Sequence, residues 1–263
     1  MKLTKLALAG AVSLSTLAGG TSAFAEEAGK MNSLTDVTFT ENAEVTKPIN
    51  PIDPDEEVTT TGNPDDPKDP KDPKDPKNPD DPENPEDNNH EVGTQGPLSI
   101  DYVSNFHFGK HNISGSDQVY YAKLDTVKGK DGNKEVPNFL QVTDNRGTNK
   151  GWKLSVKQNG QFKAADAELT GAELKLSNPF VNSATDQKFA PVAKEVTLNP
   201  DGSTQEVATA ETGKGMGTWT TAYGKDNVEG AKSVSLSVPG TTAKVKDTKY
   251  KTSLTWTLED TPQ

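Results

Sequence analysis

Twelve of the 18 prolines in this chain lie between Pro48 and Pro97, and this clustering constrains the fold more than any other feature. Proline fixes φ and lacks the backbone N–H that helices and sheets use, so this stretch is excluded from a regular core. Within it, Lys-Asp-Pro occurs three times in succession from Lys68 to Pro76, which matches the three-residue turn of polyproline II. We therefore predict an acidic, proline-rich, disordered spacer over residues 48–97. A Pro-x-x-Pro ligand for a partner domain is the alternative interpretation.

From residue 98 onward the chain alternates apolar and polar residues in short runs that end at Gly, Asn and Pro turns. The clearest runs are 152–156, 172–176, 233–238 and 250–258. Alternation with a period of two places the apolar side chains of each run on one face of a strand. We therefore predict an all-β fold, specifically an Ig-like β-sandwich over residues 98–263 with the proline-rich segment as a long insertion or spacer. The run Asp36–Thr40 also alternates, and we expect it to form a first strand that docks on this domain.

The N-terminus has the pattern of a secretory signal peptide. Lys2 and Lys5 precede an apolar run to about Ala18, and the small-residue site Ala23-Phe24-Ala25 follows. The run is too short to span a membrane, so we expect cleavage after Ala25 and export of the mature chain. The last six residues contain no sortase-type Leu-Pro-x-Thr-Gly signal, so attachment to a cell surface is expected to be noncovalent.

Charge and composition argue against several functions. The net charge of −11 comes mainly from residues 26–97, which carry 20 acidic and 6 basic residues, whereas residues 98–263 are close to neutral. Neither part has the basic field that nucleic acid binding favours. The chain has no cysteine nucleophile, only three histidines and no Gly-x-Ser-x-Gly elbow, so we predict a protein that is not an enzyme and has no cofactor. A metal site at His107 and His111 is disfavoured by the Gly109 between them.

The C-terminal run carries a specific motif. Its fixed positions fit Tyr-x-x-x-Leu-Thr-Trp-x-Leu-x-x-x-Pro and are Tyr250, Leu254, Thr255, Trp256, Leu258 and Pro262. A second Trp-x-Leu stands at Trp152 and Leu154. With these two motifs the chain resembles the WxL-domain surface proteins of low-GC Gram-positive bacteria, as a small, stand-alone member.

This resemblance implies a protein of the cell surface that attaches noncovalently to the wall, with peptidoglycan as its partner. It also implies association with other surface proteins, including membrane-anchored WxL-interacting proteins. The motif residues are then expected to form the wall-binding motif. We divide the chain into a signal peptide (1–25), an N-terminal strand segment (26–47), the spacer (48–97) and the WxL domain (98–263). The alternative function is that of a subunit of a surface protein complex, with wall association indirect.

The motif tryptophans have two interpretations. Trp152 shares a strand face with Leu154, and Trp256 shares one with Leu258, which favours a role in the core over a role as platforms for sugar rings. Trp219 lies in a stretch rich in Gly and Thr with Tyr223 close behind, so we expect these two aromatic residues to be the better candidates for an exposed contact. A half-buried packing role for Trp219 stays open.

Overall fold

The chain folds almost entirely into short β-strands in the residues that its computed structural model describes, which are residues 31, 33–60 and 90–260. The predicted signal peptide, residues 61–89 of the predicted spacer and Pro262 lie outside these residues. The strands are β1 Thr59–Thr60, β2 Leu98–Val103, β3 Gln118–Tyr121, β4 Asp125–Gly129, β5 Gly132–Val136, β6 Phe139–Asp144, β7 Trp152–Gln158, β8 Lys163–Ala164, β9 Ala167–Glu168, β10 Glu173–Leu176, β11 Pro179–Asn182, β12 Val192–Ala193, β13 Val196–Leu198, β14 Gln205–Ala210, β15 Gly217–Tyr223, β16 Val234–Val238 and β17 Leu254–Asp260. One helical turn, α1 Asn227–Gly230, and one 3₁₀ turn, Gln187–Phe189, complete the elements.

Twelve strands form three four-stranded antiparallel sheets. We name them sheet I (β13-β10-β16-β3), sheet II (β11-β15-β6-β2) and sheet III (β12-β14-β7-β17). A three-stranded sheet, β1-β4-β5, and the hairpin β8-β9 are smaller. The predicted all-β class is confirmed, but there is no clear Ig-like sandwich in the described residues, and the arrangement is propeller-like. Alternation predicts single strands and the face that each one buries, but it carries no information on how the strands divide among sheets.

The main core lies between the inner faces of the three sheets, and the alternating runs supply it. In β16, Val234, Leu236 and Val238 are buried, while the serines between them point outward and stay partly exposed. In β10, Leu174 and Leu176 are buried in the same cluster. Full burial of one such side chain contributes roughly 1.5–3 kcal/mol. Because the chain has no cysteine, this burial and the hydrogen-bonded ladders hold the folded unit together without disulfides.

Around Gln141 and Thr143 the outer face of sheet II is polar, and an arm made of residues 42–52 lies across this part of it. The other end of the same face contributes Phe139 and Ala222 to a second, smaller apolar core. The side chain of Gln141 accepts a hydrogen bond from the Ile49 N–H at 2.8 Å and donates one to the Lys47 carbonyl at 3.0 Å. Asn182 donates to the carbonyl of Pro51 at 3.0 Å. The arm is therefore fixed on the sheet by hydrogen bonds from side chains to its backbone.

A buried carboxylate stands beside this arm. Asp101 accepts hydrogen bonds from Ser99 at 2.6 Å, from Thr143 at 2.6 Å and from Gln141 at 2.9 Å. Burial raises the pKa of Asp101, and the three donors act against this rise. Because Gln141 binds both Asp101 and the arm, the carboxylate helps to orient the amide that fixes the arm.

Both flanks of the predicted spacer belong to the folded unit. Thr60 of β1 pairs with Val127 of β4, so residues up to 60 are part of a sheet. The His90 ring lies 4.9 Å from the ring of Tyr102, whose hydroxyl donates to Asp125 at 2.7 Å. Burial lowers the pKa of His90. Proline composition alone does not reveal these hydrogen bonds, and the limits of the spacer at 48 and 97 stay a prediction.

The described residues 31 and 33–39 belong to a unit separate from residues 40–263. The run Asp36–Thr40 has no strand assignment, and the side chains of Val37 and Phe39 are exposed. Docking of this segment on the WxL domain stays a prediction.

Candidate functional site

The two Trp-x-Leu motifs lie on adjacent antiparallel strands of sheet III. Strand β17 pairs with β7 along its whole length, so that Leu258 stands opposite Leu154. On either side of this pair, Trp256 stands opposite Val156 and Trp152 stands opposite Asp260. The two motifs are therefore related by an approximate local two-fold axis through the paired leucines, and both tryptophans point toward the same core.

Trp152 is a core residue with a specific polar contact. Its side chain is only 1% exposed, and its indole N–H donates to the carbonyl of Gly215 at 3.1 Å. Gly215 has φ +75°, and a Cβ added there would lie 2.4 Å from the indole nitrogen. The indole therefore requires a glycine at position 215, because any side chain would occupy its place.

The C-terminal motif is less deeply buried. Trp256, Leu254, Leu258 and Tyr250 are half-buried and pack against the edge of the core. The Tyr250 hydroxyl accepts a hydrogen bond from the Val245 N–H at 2.9 Å. Thr255 points to the outer face, where Asn159 donates to its hydroxyl at 2.9 Å. Three of the motif positions, Leu254, Trp256 and Leu258, thus fasten the edge strand to the core, while Thr255 and Asn159 tie it to the turn after β7.

A family model described as WxL domain surface cell wall-binding matches residues 26–262. The chain belongs to this family. No curated protein and no solved structure matches it. Membership confirms the resemblance that the two motifs indicate, and it extends it over almost the whole chain. Since the family binds the cell wall, the WxL domain associates this protein with the cell surface.

The expectation that Trp219 and Tyr223 are exposed is wrong. Both side chains are 1% exposed and lie in β15, a central strand of sheet II. The Trp219 indole N–H donates to the carbonyl of Met216 at 2.8 Å. The Tyr223 hydroxyl has no hydrogen-bond partner among the described residues, and burial raises its pKa. Neither residue can contact a ligand on the surface of the WxL domain.

The expectation of exposure came from the glycines and threonines around Trp219. Thr220 and Thr221 are in fact buried, since β15 is covered on both faces. The two buried indoles also bind the same loop. Trp152 binds Gly215 and Trp219 binds Met216, so both hold the same glycine-rich loop, residues 213–217.

Arg146 is the only arginine in the chain, and its role was not predicted from the sequence. Its guanidinium forms a two-point ion pair with Asp144 at 2.8 and 2.9 Å and donates to the Gly151 carbonyl at 2.8 Å. It also pairs with Asp260 at the end of β17. The hydrogen bonds to Asp144 raise the pKa of Arg146 further above its ordinary value. The arginine therefore clamps the C-terminal strand to the end of β6. The one feature of the sequence that could have indicated this role is a single arginine two residues after Asp144.

The described residues of the WxL domain offer no side-chain cluster for a metal ion. No group of three or more His, Asp or Glu side chains there is placed to hold a metal ion. The ring of His111 contacts the carbonyl of Phe108 and stacks on Tyr120, with 4.2 Å between the two ring centroids. Among the described residues, no helix is long and apolar enough to cross a membrane.

Proposed function

We propose that this protein attaches noncovalently to the peptidoglycan of a Gram-positive cell wall through its WxL domain, and that it performs no catalysis. The observation that carries this proposal is the match of the cell wall-binding family model over residues 26–262. A near-neutral domain also fits a ligand recognised by shape and hydrogen bonds, because capture of anionic wall polymers by charge would favour a basic surface.

In this proposal the motif residues act through the fold. Trp152 is buried, and Trp256 is half-buried against the core, so neither offers an open ring face of the kind that stacks on a sugar. The pair of motifs builds sheet III and fixes the C-terminal strand, and the wall-binding surface lies elsewhere on the domain. Loss of wall binding in a tryptophan variant would then follow from unfolding.

A pull-down with teichoic-acid-stripped peptidoglycan sacculi tests this function. The mature chain, residues 26–263, is expected to bind the sacculi saturably and to release no soluble muropeptides. Trp152→Ala is the informative variant, since its binding should fall only in proportion to its loss of folded protein, measured by circular dichroism. Absence of binding by a well-folded wild-type chain would contradict the proposal.

A second candidate function is that of a subunit of a surface protein complex that includes membrane-anchored WxL-interacting proteins. The apolar side chains of Leu34, Val37 and Phe39 favour it, because all three are exposed in the N-terminal unit. Clustered exposed apolar side chains are typical of protein–protein contacts. The ligand of this unit would then be a partner protein, and the wall would be reached indirectly.

The double variant Val37→Lys/Phe39→Lys separates the two functions. If the partner protein provides the attachment, this variant should lose binding to whole cells. If the WxL domain binds peptidoglycan directly, the variant should bind both sacculi and cells like the wild type. Thr38→Lys, which alters an exposed polar residue between the two, is the matched control for added charge.

A further inference from the structure

The outer face of sheet I differs in residue composition from the outer faces of the other large sheets. Side chains directly opposite each other on paired strands project from the same face, about 4.7–4.9 Å apart from strand to strand. Tyr121 of β3 stands opposite Ser235 of β16, which stands opposite Lys175 of β10. In the neighbouring row, Val119, Ser237 and Glu173 follow each other in the same way.

These six residues outline a strip along the strands in which two small side chains lie between larger ones, and we call it the serine trough. Its floor is formed by the small side chains of Ser235 and Ser237. One wall is apolar, with Val119 52% and Tyr121 46% exposed. The opposite wall is polar, and its Lys175 forms an ion pair with Glu195 at 3.1 Å in which both side chains are about half exposed.

Tyr121 differs from the other large aromatic residues in its exposure. Among the described residues from 40 to 260, it is the only Phe, Tyr or Trp whose side chain is exposed. The segment 61–89 contains no Phe, Tyr or Trp in its sequence. The three tryptophans are buried or half-buried, so the ring of Tyr121 is the most accessible of these rings in the described part of the folded unit.

The other two large sheets lack an equivalent surface. The outer face of sheet II is covered by the arm 42–52, through Gln141 and Asn182. The outer face of sheet III carries Thr255, Thr257 and the ion pair of Lys153 with Glu259, and it has no aromatic side chain. Only sheet I combines an open face, a row of small hydroxyl groups and an aromatic ring.

We propose that the serine trough is the surface of the WxL domain that contacts the glycan strand of peptidoglycan, with the ring of Tyr121 packed against the apolar face of a sugar. This inference rests on the proposed function and adds a location to it. A pyranose ring presents its C–H groups on one side and its hydroxyl and acetamido groups around its rim. The trough matches both, since its aromatic wall suits the C–H face and the two serine hydroxyls can donate to or accept from the rim.

The polar wall suits the remaining chemistry of the same ligand. The Lys175 ammonium is held beside the trough by Glu195, and its exposed part can bind a carboxylate of a peptide stem. The trough residues themselves include one cation and one anion, Lys175 and Glu173, so the surface does not repel an anionic wall. Recognition there depends on stacking and hydrogen bonds, in agreement with the near-neutral domain.

Binding to teichoic-acid-stripped sacculi tests the inference with three variants of the mature chain. Tyr121→Ala removes the ring and should weaken binding by roughly tenfold or more, as expected for loss of an aromatic contact at the centre of an interface. Tyr121→Phe keeps the ring and should bind within about threefold of the wild type, since only one hydroxyl is lost. Ser235→Leu fills the floor and should weaken binding as strongly as Tyr121→Ala. Thr257→Ala on sheet III is the matched surface control.

The outcomes distinguish this inference from the proposed function. If the wild type binds saturably and Tyr121→Ala, verified as folded by its thermal transition, binds equally well, the trough is not the glycan contact although the function stands. If the wild type itself fails to bind, the proposed function fails first. If the wild type is a dimer in sedimentation and Tyr121→Ala is a monomer with unchanged affinity for sacculi, the trough contacts a second copy and the inference is overturned.

Discussion

The two Trp-x-Leu motifs stand side by side in sheet III, but their surroundings differ. Trp152 begins β7, which has a strand on each side, β14 and β17. Trp256 lies in β17, which is the last strand of that sheet. The first indole is buried and hydrogen-bonded to Gly215, whereas the second is half-buried against the rim of the core.

This difference teaches that position in the sheet decides what a motif contributes. Both motifs place a tryptophan and a leucine on the same inner face, with the leucines directly opposite each other. A central strand is covered by neighbours on both sides, so its tryptophan becomes part of the interior. An edge strand lacks one neighbour, so its tryptophan seals the margin. The four predictions that follow test this contrast through the free energy of unfolding.

Trp152→Ala should have the largest effect. Loss of a fully buried tryptophan typically costs about 3–5 kcal/mol, which is a large share of the stability of an ordinary domain. Urea denaturation followed by circular dichroism measures the change. Trp152→Phe should lose less, because it keeps most of the apolar volume and gives up mainly the hydrogen bond to Gly215. If Trp152→Ala lowers the free energy of unfolding no more than Trp256→Ala does, the position of the strand in the sheet does not decide the contribution of its tryptophan.

Gly215→Ala should destabilise the fold by about 2–4 kcal/mol, because it combines a backbone penalty at φ +75° with a methyl group forced against the Trp152 indole. Gly213→Ala is the matched control. It has φ +81°, but nothing lies within 4 Å of its added Cβ, so it should cost about 1 kcal/mol. The difference in urea midpoint between the two variants isolates the close packing at position 215, which involves the Trp152 indole and the Ala210 methyl group. Equal costs would mean that the indole yields to a side chain at position 215.

Trp256→Ala should cost about 2 kcal/mol, roughly half the effect of removing a fully buried tryptophan, because the side chain is only half-buried. Thr257→Ala, one residue further along the same strand and exposed, should change stability by no more than about 0.5 kcal/mol. Thermal unfolding of the two variants gives the comparison. Hydrogen exchange should show faster opening of β17 in Trp256→Ala while β7 stays protected, and equal protection loss in both strands would contradict the role as a seal.

Asp260→Asn should have the smallest effect, at most about 1 kcal/mol, since its carboxylate is 60% exposed even though its partner Arg146 is largely buried. Removing the charge should loosen the end of β17 without disturbing the ion pair between Arg146 and Asp144. The loss should shrink in 1 M salt, because salt screens an exposed pair. Glu259→Gln, which breaks the exposed pair with Lys153, is the control for charge on the same strand. A larger loss than that of Trp256→Ala would make the clamp, and not the indole, the main fastening of β17.

Strands and their buried faces could be predicted where one face of the strand is buried and the other is exposed to solvent. The runs 152–156, 172–176 and 233–238 fall on β7, β10 and β16 with the expected inward faces. The long run 250–258 was too long at its start, because β17 begins at Leu254 and the chain before it follows a turn in which Tyr250 binds Val245. The alternation is visible in the sequence of these strands because one side of the sheet faces water and the other faces the core.

The prediction failed where both faces of a strand are covered. In β15 and β6 the outward positions are buried threonines and glutamine under the arm, so polarity there reports hydrogen bonding and not exposure. This explains the wrong expectation for Trp219 and Tyr223. The candidate trough could not be found from sequence either, since Tyr121, Ser235 and Lys175 are far apart in the chain and meet only through the strand register. The clamp at Arg146 depends on the same kind of long-range pairing.

The way the arm 42–52 is held has a consequence for solubility. Its anchors are the side-chain amides of Gln141 and Asn182, which water can satisfy if the arm detaches. An arm that covered an apolar surface would expose that surface each time it opened, and a protein at the cell surface would then be prone to aggregate. Here a transient opening uncovers polar side chains that water can hydrate. The arm can therefore detach briefly and close again without exposing a surface that promotes aggregation.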